Sequence, residues 1–255
     1  MPASAVQSST PKIAFDTFTG IYHLSRDSHN RSLLTTEETI LADFPTTGFT
    51  GITRSIPKTF QGHSVEIKIL NVTDAAGDPI PYKTTSDNSA DLVITTGDPT
   101  ITLAGPQTIK LTYQTRGVVN LNAKSDELLL NVNGRGWDQG FNRVDATLYV
   151  AANFQAKLQN HLSCYLILDT SETSNCSIKA MAGKGAADAV ITSRALSVAP
   201  QQALILKLDF QAATFTNNQA SNWYWWLVPV AALMLLILVI LVKLKQRSKT
   251  QREKP

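Results

Sequence analysis

The chain has 255 residues, 43% hydrophobic and 17% charged, with a formal charge of +3. Six basic residues against Glu253 follow Val242, which leaves everything before that point at about −2. A mildly acidic body excludes a nucleic-acid binder held by phosphate contacts.

Residues 1–12 have no apolar core, but Ala3-Ser4-Ala5 is the small-x-small pattern that ends a secretory signal. The segment reads as a leader remnant or a disordered end. Either a leader precedes Met1 or an apolar helix at the carboxy end drives insertion by itself, and the coding sequence upstream of Met1 separates the two readings.

Residues 13–219 read as strands. Val65, Ile67 and Ile69 alternate with Glu66 and Lys68, and Ile109, Leu111 and Tyr113 with Lys110 and Thr112. The pattern repeats at Val144, Ala146, Leu148 and Val150, and at Leu204, Leu206, Leu208 and Phe210. Period-two alternation with one wet face implies antiparallel sheets over a core. Turn residues separate the runs at Gly77-Asp78-Pro79, Asp87-Asn88-Ser89, Gly97-Asp98-Pro99 and Asn133-Gly134. The expected fold class is all-β, an antiparallel, Ig-like β-sandwich. One large sandwich and two small ones both fit, with any seam near 151–160, where "AANFQAKLQN" breaks the alternation and suits a helical turn. Cys164 and Cys176 flank "YLILDTSETSN". Outside the cell they would close a hairpin-sized loop as a disulfide, worth about 3 kcal/mol in the loop-entropy model, while two free buried thiols are the alternative.

Residues 220–242 read as one transmembrane helix, because every residue from Trp226 to Val242 is apolar and Trp223 and Tyr224 extend the run. The tail at 243–255 carries Lys243, Lys245, Arg247 and Lys249, whereas Ala212 to Asn222 has no basic residue. Positive flanks stay in the cytoplasm, so the expected topology is single-pass in the cell membrane, with the amino-terminal domain extracytoplasmic. Trp223, Tyr224, Trp225 and Trp226 then form an aromatic belt at the outer face of the lipid bilayer.

Taken in order, several stretches resemble a family of bacterial predicted membrane proteins, domain of unknown function 2207. They are "TEETILADFP", "GITRSIP", "VTDAAGDPIPYK", "LVITTGDPTITLAGPQTIKLTYQTRGVV" and "DELLLNVNGRGWDQGFNRVDATLYV". The last is the most specific, matching the family at Glu127-Leu128, Asn131, Gly134 and Trp137. The resemblance covers Phe18 to Phe215 and implies an extracytoplasmic β-sandwich followed by a first membrane helix. It implies no activity.

Two residues of these motifs are candidate ligand contacts. Arg54 suits an acidic ligand, and equally a carboxylate held between strands. Trp137 suits stacking on a sugar ring, and equally the plug of a sandwich end. Enzyme signatures are missing: His23, His29, His63 and His161 are scattered, and no nucleophile elbow or phosphate loop occurs. Neighbouring carboxylates at Glu37-Glu38 and Asp126-Glu127 point to opposite faces of a strand. No catalytic residue, metal or cofactor is therefore expected, although carboxylates paired by the fold would leave room for an envelope hydrolase. The expected function is an uncharacterised binding or interaction module of the cell envelope, its partner an envelope protein or glycan. The alternative is a structural subunit of a membrane complex.

Overall fold

The computed structural model describes residues 11–86 and 90–216. The expected leader remnant up to residue 10, the turn at Asp87-Asn88-Ser89, the span at 220–242, its aromatic belt and the basic tail lie outside the described residues. No helix among the described residues is long and apolar enough to cross a membrane.

The chain runs through β1 (Ala14–Arg26), β2 (Ser32–Phe44), β3 (Thr53–Pro57), β4 (Thr59–Phe60), β5 (His63–Ser64), β6 (Glu66–Thr73), β7 (Tyr82–Thr85), β8 (Asp91–Thr96) and β9 (Gly105–Arg116). It continues through β10 (Val119–Leu121), β11 (Ser125–Asn131), β12 (Phe141–Val150), a short 3-10 helix (Gln155–Lys157), β13 (Leu158–Leu168), β14 (Ser171–Thr173), β15 (Cys176–Met181), β16 (Ala189–Val198) and β17 (Ala203–Gln211). The domain is nearly all β, as the alternation requires.

A seven-stranded sheet has the order β15-β16-β12-β1-β2-β9-β6, and a five-stranded sheet the order β10-β11-β17-β13-β14. A three-stranded sheet, β3-β8-β7, and the β4-β5 hairpin complete the domain. The antiparallel expectation needs one correction. β1 and β12 pair in parallel at the middle of the large sheet, Phe18 beside Val144 and Tyr22 beside Leu148. Period-two alternation reports which face is buried but not strand direction, so nothing in the sequence distinguished this pair.

Three of the four predicted apolar sets face the core, while Val65, Ile67 and Ile69 are only half-buried, the last two packed at its margin. Ile109, Leu111, Val144, Leu148, Leu204, Leu206, Leu208 and Phe210 are all buried in one core cluster. The sheets meet across that core: the Tyr22 hydroxyl on β1 donates to the Val132 carbonyl beyond β11 at 3.0 Å. Residues 151–157 form a turn and the 3-10 helix and residues 158–160 begin β13, all within one compact unit. Phe154 in this stretch packs edge-on against Phe210 and Phe215, which is why a break in alternation still contributes to the core.

Cys164 and Cys176 form a disulfide with a Cα–Cα distance of 6.1 Å. It closes no hairpin within one sheet. Cys164 lies on β13 of the five-stranded sheet and Cys176 on β15, the edge of the seven-stranded one, so the bridge joins the two sheets along their shared margin.

Candidate functional site

Arg54 and Trp137, the two sequence candidates, come together at one end of the domain. Glu38 sits on the inward set of β2 with Leu34, Thr36, Ile40 and Ala42, while Glu37 faces solvent. Arg54, from β3 of the small sheet, reaches it with Nε donating to Oε2 at 2.8 Å and Nη2 donating to Oε1 at 2.6 Å. Nη1 donates to the Ser55 carbonyl at 2.7 Å, and the Tyr113 hydroxyl donates to Glu38 Oε1 at 2.8 Å. The pair is almost sealed from water, with side chains 3% and 0% exposed.

The surroundings show how such a pair is tolerated. A buried charge must be matched by a partner and by further hydrogen bonds. Burial by itself would depress the Arg54 guanidinium; the Glu38 charge and hydrogen bond outweigh that and hold it protonated. Burial first, and the Glu38 charge second, push the Tyr22 and Tyr113 hydroxyls well above the usual tyrosine range. Gly134, at φ +74°, leaves room for the guanidinium, since a Cβ there would stand 2.3 Å from Nη1. Its place in the family motif is thereby explained physically.

Trp137 packs between this ion pair and a cleft. Its ring meets Phe15 edge-on at 4.9 Å and Phe141 at 5.2 Å, and the Arg54 guanidinium carbon lies 5.9 Å from its centroid. The indole N–H donates to the Asn133 carbonyl at 2.6 Å. Asn133 is itself fixed, its Oδ1 accepting from the Leu204 backbone N–H at 2.8 Å and its Nδ2 donating to the Gln202 carbonyl at 2.9 Å. With its donor used and only 4% of the residue exposed, Trp137 has little surface left for solvent. Trp137 is packed as a core residue at this end of the domain.

The cleft beyond it has a volume of about 500 Å³ and is walled by Phe15, Phe49, Ile52 and Trp137, with Lys12 and Asp138 at its lining. The loop carrying Phe49 and Ile52 is pinned to β8: the Ile52 backbone N–H donates to Thr96 Oγ1 at 3.0 Å, and the Thr96 N–H donates to the Ile52 carbonyl at 2.9 Å. Gly51 permits this approach, because a Cβ there would overlap the Thr96 carbonyl. The cleft is of mixed character, its apolar walls flanked by Lys12, Thr53, Asp138 and Gln139, and a concavity that combines apolar walls with polar groups is a common form of ligand pocket.

Sequence reasoning named Arg54 and Trp137 but missed Glu38, Phe15 and Phe49. Glu38 carried a readable signal, a carboxylate in the inward register of an otherwise apolar alternation. Phe15 and Phe49 meet only through the fold. No group of three or more histidine, cysteine, aspartate or glutamate residues among the described residues is placed to hold a metal ion.

Residues 29–196 match the profile of a family described as predicted membrane protein (DUF2207), N-terminal domain. A search of curated proteins found no match. Among solved structures, an M1 zinc metallopeptidase from Deinococcus radiodurans is similar at 11% identity and a TM-score of 0.42, over 79% of this chain and 44% of that one. Native leukotriene A4 hydrolase from Saccharomyces cerevisiae is similar at 5% identity and a TM-score of 0.40, over 81% and 32%. The chain thus spans less than half the length of either.

Proposed function

The chain belongs to the DUF2207 family of predicted membrane proteins, and from that premise we propose that its β domain is a binding module of the cell envelope. In this reading the domain is an extracytoplasmic β-sandwich, held by a single span at 220–242 with the basic tail in the cytoplasm, and it is not an enzyme. The cleft lined by Phe15, Phe49, Ile52 and Trp137 receives an apolar or ring-bearing group of an envelope protein or glycan, with Lys12 and Asp138 selecting polar substituents.

The observation that carries this reading is that the cleft walls are fixed in advance. The buried Arg54–Glu38 pair stands behind Trp137, and the Gly51 contact locks the facing loop. Preorganised walls lower the ordering cost of binding. The test uses the full chain in nanodiscs, titrated with envelope protein and glycan fractions, against Phe49→Glu and Asp138→Lys variants. Saturable binding that both substitutions weaken, at an unchanged thermal midpoint, supports the cleft. Binding that survives both variants places the contact surface elsewhere and overturns it.

A further inference from the structure

The two ends of the domain differ in charge and in their relation to the chain's exit. β1 spans 13 residues, so about 40 Å separates its ends. Lys12, Phe15 and the cleft lie at one end, while the chain leaves the domain at the other. There the Thr216 backbone N–H donates to the Asn30 carbonyl at 3.0 Å and its hydroxyl to the His29 carbonyl at 2.6 Å. The Phe215 N–H donates to Asp126 Oδ2 at 2.8 Å, and Arg26 Nη1 donates to the Thr214 carbonyl at 3.1 Å. The exit is therefore tied to the β1–β2 turn and to β11.

The loops around the exit form one hydrogen-bonded rim. Lys157 Nζ donates to Gln211 Oε1, the Ala152 N–H to Asp188 Oδ1, and the Gly183 N–H to Gln155 Oε1. Carboxylates on this rim are already engaged: Asp27 and Glu66 by Arg31, Asp126 and Asp188 by backbone N–H groups. Three exposed lysines are left, Lys124 in the β10–β11 turn, Lys157 in the 3-10 helix and Lys184 before β16. Lys124 and Lys184 make no ion pair among the described residues, and Lys157 holds only an amide oxygen. The opposite end is acidic on balance, with Asp43, Asp74, Asp78, Asp98 and Asp138 on its loops and strand ends against Lys12 and Lys110.

We propose that the rim bearing Lys124, Lys157 and Lys184 is a docking face for an anionic lipid headgroup surface, which seats the domain upright and turns the cleft away from the bilayer. This rests on the membrane reading given above. Each lysine near an anionic surface strengthens contact by about fivefold, an effect that added salt screens.

The test uses the full chain reconstituted in vesicles of phosphatidylcholine alone or with phosphatidylglycerol, each holding a headgroup-linked acceptor dye. A donor dye is attached afterwards, by an impermeant maleimide, to Ala123→Cys on the rim or Ala76→Cys at the far end. Flotation of the vesicles reports anchoring separately. The expected result is flotation in both lipids, higher energy transfer from position 123 than from 76 in phosphatidylglycerol, and loss of that difference in the Lys124→Glu, Lys157→Glu, Lys184→Glu triple variant. Flotation with equal transfer from both positions, or transfer indifferent to phosphatidylglycerol and to the triple variant, overturns the docking face and leaves the anchor intact. A chain that floats with neither vesicle removes the membrane reading, and the docking face with it.

Discussion

The Glu38 carboxylate accepts from Arg54 twice and from Tyr113 once inside a core that excludes water. Removing one partner leaves the other charge buried and unmatched. Arg54→Ala and Glu38→Ala are each expected to lower stability by about 3–5 kcal/mol, measured by denaturant unfolding of the full chain. An Arg54→Met, Glu38→Leu double variant should recover much of that loss, because it buries no orphan charge. Gly134→Ala should also destabilise, through its positive φ and the overlap with Arg54, by a margin above the about 1 kcal/mol typical of a point change. Nearer the surface, Lys207 Nζ pairs with Glu127. The hydrogen bond from Lys207 holds the Glu127 carboxyl below its ordinary value of 4.5. The same bond raises Lys207 above its ordinary 10.5. A lowered acid contributes stability above its unfolded pKa and loses it as pH falls through the folded one; a raised base contributes below its unfolded pKa and loses it as pH rises through the folded one. The pair should therefore stabilise across neutral pH and fade at both extremes, and Lys207→Met should flatten the acid limb of a plot of thermal midpoint against pH.

Along single elements, the sequence was legible wherever one face is wet. β9, β12 and β17 carry their apolar residues inward as the alternation predicts. It was not legible where an interaction crosses between elements. Cys164 and Cys176 suggested a local loop, yet their strands belong to different sheets, because β14 intervenes and turns the chain onto the other layer. Arg54 suggested a carboxylate partner without naming it, since Glu38 reaches it only when the small sheet covers the large one. Phe49 carries no local signal at all. The disulfide closes a loop between the two sheets, so Cys164→Ser with Cys176→Ser is expected to cost about 3 kcal/mol. Hydrogen exchange should rise first in β15, an edge strand paired only with β16.

For the molecule as a whole, the polarity of the domain matters more than its net charge. A body near −2 is weakly charged on average, but Asp43, Asp74, Asp78, Asp98 and Asp138 gather at the cleft end, only partly offset by Lys12, while Lys124, Lys157 and Lys184 stand at the exit end. Such separation orients a domain in the field of a surface without requiring strong binding. Raising the salt concentration should reduce lipid contact at the rim while leaving cleft binding by an apolar group little changed, and a titration of both signals in one sample checks this.

The parallel pairing of β1 with β12 also sets an order of events in time. Phe18 takes its place beside Val144, so the centre of the large sheet stays open until much of the chain has been synthesised. Pairings of such long sequence separation close slowly, on the order of milliseconds to seconds for β-rich domains. A nascent chain of this design therefore carries its first hairpin, β1–β2, with an apolar face that stays uncovered until β12 has been made.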